Sequence, residues 1–249
     1  MLRQLSLLEQ QAPAWSGGEP RLVVRQSRRA RRLTLKVVPP SRLELVVPGR
    51  TPIRTIQTFL DAHSAWIRRA IDELKARYPA ERRALPRSVL LRAIDRRWHV
   101  DVARVAGGRA SLLERGDRLE LCVSERADDT AFELLRQWLL RQGRARLKPW
   151  LAAEAARLGV RPRRVAVRTQ RTRWGSCSQA GNVNLNAALL LLPADQVRYL
   201  LVHELCHLRH LDHSPRYWQL VERYEPDFRA LDRALATAWA DLPVWALPR

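Results

Sequence analysis

Four of the six histidines of this chain fall within eleven residues, at 203, 207, 210 and 213. Two of them belong to His203-Glu204-Leu205-Cys206-His207, which lies in the apolar run YLLVHELCHL. Val197, Leu200, Leu201, Leu205 and Leu208 recur at helical spacing, so a largely buried amphipathic helix is predicted from Pro193 to about Leu211. Residues four apart share one helix face, and both imidazoles can then reach a single ion. Glu204 is rotated away by one residue, where a general base would face a metal-bound water rather than the ion. Two unpartnered histidines beside a buried glutamate would be costly without such a purpose.

A catalytic zinc takes a third protein ligand. The candidates are His210, His213 and the later acids Glu222 and Glu225. On a continued helix His210 would share the face of His203 but lie about 10 Å along the axis. Asp212 is a helix stop, and Ser214-Pro215 is an N-cap followed by a first-turn proline, so a new helix begins there. His213 then sits in the turn and points back. This geometry favours His213 as ligand and leaves His210 to a supporting hydrogen bond or to solvent.

The rest of the chain reads as mixed α and β. Residues 1–20 form a poorly ordered leader. Segments 21–24, 32–38 and 42–47 are β-rich and read as two or three antiparallel strands. A helix is expected after Thr51 as N-cap and Pro52 at its first position, with Ile53, Ile56, Phe59, Leu60, Ile67 and Ile71 on its apolar face. Strands are expected at 88–94, 97–105 and 118–123, then a long helix from about Asp129 to Leu158 with a kink or break at Pro149. Segments 164–169 and 182–187 alternate as strands, separated by the loop or turn RTQRTRWGSCSQAG, and two short helices, from Pro215 and from Phe228, close the chain.

Three motifs in order resemble the YgjP-like metallopeptidases, relatives of the SprT/Spartan and Wss1 zincins: RWGSCS at 173–178, GNVNLN at 181–186 and VHELCHLRHLDHSPRYW at 202–218. The arginine-rich RQSRRARRLTLKV at 25–37, the VP at 47–48 and FLDAHSAWI at 59–67 extend the resemblance over residues 21–230. It implies an α+β, zincin-like domain with an antiparallel sheet and an HExxH active-site helix, preceded by a β-rich N-terminal region. The expected division is a leader at 1–20, an N-terminal region at 21–125 and a catalytic region at 126–249. The resemblance implies His203, His207 and His213 as ligands of Zn²⁺ and Glu204 as base. Tyr217 stands where the family often has Phe, with Trp218 following as expected. Arg173, Trp174, Gly175 and Ser176 have two readings: substrate contacts along an edge of the cleft, or a core tryptophan beside a turn glycine.

The formal charge of +20 suits a polyanionic partner, yet only Lys36, Lys75 and Lys148 are lysines, and arginine use this lopsided also arises from genome composition. Three widely spaced cysteines, Cys122, Cys177 and Cys206, argue against a disulfide framework and fit a reducing cytoplasm. No apolar run approaches a membrane span. The leading expectation is therefore a zinc metallopeptidase acting on a protein or peptide. Two alternatives stand beside it. One is a metal-dependent nucleotide (UTP) pyrophosphohydrolase, as some family members have been described. The other is a nucleic-acid-binding protein, using the basic surface at Arg25, Arg28, Arg29, Arg31 and Arg32, with a secondary metal site.

Overall fold

The computed structural model describes residues 21–38, 42–77, 84–106, 109–124 and 128–247; the expected leader lies outside them. The described residues form six α-helices and three small sheets, a mixed α+β class as expected. Contacts divide the chain into two compact units between residues 84 and 85. That boundary falls ahead of the expected one at 125/126, because the second sheet packs with the later helices.

The first unit holds β1 (Arg21–Ser27), β2 (Thr34–Val38), β3 (Arg42–Pro48), α1 (Ile53–Ala62) and α2 (Ser64–Arg77). Leu22, Leu43, Leu45 and Val47 of the sheet meet Ile56, Leu60, Ile67 and Ile71 of the helices in one core. The single expected helix is two, divided at His63, whose Nδ1 lies 2.8 Å from the Phe59 carbonyl. Pro52, not Thr51, is the cap position, and the Thr51 hydroxyl donates to the Pro48 carbonyl instead. Arg28, Arg29, Arg31 and Arg32 lie exposed between β1 and β2, while Arg25 pairs with Glu44 at 2.8 Å.

The second unit contains β4 (Ser88–Leu91), β5 (Arg96–Arg104), β6 (Ser111–Arg115) and β7 (Arg118–Val123), then α3 (Asp128–Leu158). Its third sheet is β8 (Arg164–Arg168), β9 (Gly175–Cys177) and β10 (Asn182–Asn186). It ends in α4 (Ala194–Cys206), α5 (Pro215–Tyr224) and α6 (Phe228–Thr237). All three sheets contain the same arrangement. A first strand runs parallel to the third, and the second lies antiparallel on the third's other side, in the orders β1-β3-β2, β5-β7-β6 and β8-β10-β9. This corrects the all-antiparallel expectation for residues 21–47 and the antiparallel sheet expected of the zincin-like domain, whose β8 and β10 also run parallel. A chain that reverses twice points in its original direction again, so β1 can pair with β3 only in parallel.

The helix α3 organises this unit and passes through Pro149 without a break. Trp138 meets Trp98 edge-on at 5.2 Å, and both indoles donate to the Glu114 carboxylate at 2.9 Å. Further along, Gly143 lets the helix come close to Val167 of β8 and to Ala187 in the buried 3-10 turn Ala187–Leu191. That contact fixes the third sheet, which carries one wall of the histidine site. Among the described residues no helix is long and apolar enough to cross a membrane, and the three cysteines are free.

Candidate metal centre

Tyr199, Leu200, Leu201, Val202, Leu205 and Cys206 of α4 are all buried. The helix ends at Cys206, earlier than the sequence suggested. The amides of Leu208 and Arg209 bond three residues back, to Leu205 and Cys206, which tightens the chain into a turn. His207 is therefore the last cap of the helix, and His210 and His213 lie beyond it. Ser214 takes the cap position of α5 with Pro215 at its start, as expected. Its hydrogen bonds hold the Asp212 carboxyl below its usual range.

The turn brings together the three expected histidines and leaves His210 out. One ring nitrogen from each of His203, His207 and His213 lies within 4.8 Å of the others. The Nε2 atoms of His203 and His213 are 3.4 Å apart. Two nitrogens each bound at about 2.0–2.1 Å to one tetrahedral zinc would stand about 3.4 Å apart, so this pair has the spacing of two ligands of one ion, with the third imidazole within 4.8 Å. Burial, then the neighbouring histidines, lowers the His203 pKa to about 3, and burial also lowers that of His207. Both stay neutral near pH 7, the form that ligates. The other acids considered are occupied elsewhere: Glu225 is paired with Arg198 and Glu222 lies beside Arg229.

Two of the imidazoles, His207 and His203, are held from behind. Nδ1 of His207 faces the His210 carbonyl at 3.1 Å, so His210 contributes its backbone rather than its ring. Nδ1 of His203 lies 3.4 Å from the Tyr199 hydroxyl, which donates to Asp232 of α6 at 2.7 Å. Tyr217 is fully buried, stacks on His207 at 4.5 Å and donates its hydroxyl to the His203 carbonyl at 3.0 Å. The Tyr217 hydroxyl thus has a partner. Trp218 stacks on His213 at 5.5 Å. Sequence reasoning did not single out Tyr199 or Asp232. Tyr199 stands one turn before His203 and was findable by spacing, but Asp232 comes from another helix and had no local signal.

Glu204 is only 4% exposed. Burial raises its pKa to about 8, against the opposing charge of Arg173. Its other wall is β9, a strand inside the segment read as a loop. Leu185 pairs with Gly175 and Asn184 with Ser176, so the ladder to β10 imposes a strand that glycine and serine would not choose alone. A Cβ on Gly175 would lie 2.5 Å from Oε1 of Glu204. Of the four residues with two readings, Trp174 turns into the core, stacking on Trp239 at 4.2 Å and donating to the Leu235 carbonyl at 3.0 Å. Arg173 is exposed, and Gly175 and Ser176 are half-buried on β9. Asn186 pins this segment by donating to the carbonyls of Gln170 and Arg173.

The YgjP-like, metallopeptidase domain family matches residues 31–238. The chain belongs to this family. A YgjP-like domain is a metal-dependent peptidase domain, in agreement with the resemblance carried by the sequence motifs. Among solved structures the chain is similar to the metallopeptidase zymogen of Pyrococcus abyssi abylysin, at 26% identity, over 37% of this chain and 94% of that one, with a TM-score of 0.33. The search of curated proteins returned no match.

Proposed function

We propose that this YgjP-like domain is a zinc peptidase in which His203, His207 and His213 hold the ion and Glu204 carries protons. The observation that supports it best is the convergence of three imidazole nitrogens within 4.8 Å, on the same turn of chain as a buried glutamate. When bound, zinc supplies Lewis acidity, polarising a carbonyl and lowering the pKa of a water towards about 7. The protein residues do the rest. Glu204 takes the proton from the attacking water and gives it to the amine nitrogen as the C–N bond breaks. With no ion bound, burial raises the pKa of this carboxyl, and a bound dication would lower it again, so that Glu204 would be ionised and able to take the proton. Arg173, Gly175 and Ser176 flank the substrate, a protein or peptide, while Trp174 supports them from the core.

The test is metal content and cleavage of an unfolded protein by wild type and three variants. Wild type holds one zinc. His213→Ala loses it, His210→Ala keeps it, and Glu204→Gln keeps it while losing activity by on the order of 10²–10⁴. A wild-type protein without zinc, or loss in His210→Ala in place of His213→Ala, overturns the reading.

A further inference from the structure

Away from the histidines, the second unit carries a groove in which cations meet small apolar side chains. It measures about 420 Å³ and is formed by Arg144 and Lys148 of α3 and by residues 164–168 of β8. Arg144 and Lys148 lie one helical turn apart, a rise of about 6 Å. Arg164 and Arg168 mark the ends of β8, about 13 Å apart. All four side chains are exposed. Among the described residues none has an ion pair, a side-chain hydrogen bond or an aromatic partner, and the groove lining contains no acid.

Part of this charge has a simple structural use. β8 is paired with β10 alone and is an edge of its sheet, and basic side chains on an edge deter pairing with another chain. Arg164 and Arg168 suffice for that. Arg144 and Lys148 come from a different element, and like charges four apart on a helix destabilise it slightly. Their presence at the same concavity makes it a basic groove that suits an anionic occupant. We propose that this groove binds the sugar–phosphate backbone of a nucleic-acid strand.

The lining selects this occupant over a single nucleotide. Its cations extend over about 13 Å, enough for successive phosphates rather than one cluster. It offers no aromatic ring on which a base could stack. It has no amide or carboxylate side chain to bond a base edge, and its cations are exposed side chains of the kind that contact phosphates. Binding is therefore through phosphates and indifferent to sequence. In the strand order β8-β10-β9 the groove is at the edge opposite β9, two strand spacings or about 10 Å across. A bound strand lies beside the histidine site without entering it, and the inference stands whether or not the zinc assignment does.

The experiment measures binding of the full-length protein to a labelled mixed-sequence single-stranded DNA as salt rises from about 50 to about 200 mM. Three proteins are compared: wild type, Arg144→Gln with Lys148→Gln, and Arg68→Gln with Arg69→Gln, an equal charge change at exposed positions of α2. The groove pair should flatten the slope of log K against log salt by about 1.4, the value for two phosphates on a single strand. It should also weaken binding by on the order of tenfold, with little change in the α2 pair. Arg164→Gln with Arg168→Gln gives a second reading from the strand side, and a thermal melt verifies that each variant is folded. Equal losses in the groove and α2 pairs would mean that diffuse charge alone binds, and overturn the proposal. So would failure of wild type to bind, or a strong preference between two unrelated sequences.

Discussion

Replacing Gly175 with alanine measures how tightly Glu204 is held. The added Cβ would lie 2.5 Å from Oε1 of Glu204, 2.8 Å from Cγ and 2.9 Å from Cδ. Contact at ordinary distance needs about 3.5 Å, so one side must move by about 1 Å. The strand has little freedom, because Gly175 is in register with Leu185. Glu204 has little room either, at 4% exposure. Gly175 is not a positive-φ position, so alanine suits the backbone and the effect is steric alone. A misplacement of about 1 Å in a reacting group costs about 10²-fold in rate. Overpacking costs about 1–3 kcal/mol of stability. The three nearest atoms all belong to Glu204, so Gly175→Ala should retain its zinc. The assay combines metal content, a thermal melt and turnover of an unfolded protein. Turnover and melting both at wild-type values would show that the carboxylate is not confined by β9. Loss of zinc would show that the disturbance reaches the histidines, and the reasoning would fail.

Two further outcomes follow from contacts described above. Asp232→Asn removes the charge that orients Tyr199 against His203; zinc affinity, read by competition with a chelator, should fall about 10–100-fold, and an unchanged affinity would remove Asp232 from the site. Gly143→Ala ought to help a helix by up to about 1 kcal/mol, but its Cβ would meet Val167 and Ala187 at 3.1 Å and the Ala187 backbone at 3.2 Å. Denaturant unfolding should therefore show a net loss of about 1–2 kcal/mol, and a gain would mean that α3 shifts freely over the third sheet.

The histidine cluster was legible because its constraints are local. Spacing placed His203 and His207 on one face, and Ser214-Pro215 marked the restart of the chain that turns His213 back. The end of α4 was misplaced because apolar spacing continues to Leu208, while the tight turn that ends the helix leaves no pattern of its own. β9 was missed for the opposite reason. Gly175, Ser176 and Cys177 have no strand signature, and only the partner strand β10 makes them one. The parallel pairing of β1 with β3 was likewise invisible, since period-two alternation marks a strand but not its neighbour. Asp232 could not be linked to His203 from the sequence, because the contact depends on how α6 packs against α4.

The three converging imidazoles come from one stretch of eleven residues, whereas Glu204 depends on β9, almost thirty positions earlier in the chain. Closing a loop this short carries a small entropy cost, so the ligand set is a low-order contact and the setting of the base is a distant one. On the proposed roles, capture of an ion rests on a short turn closing on itself, whereas cutting rests also on the docking of a distant strand, so a partly folded chain would bind metal before it could cleave.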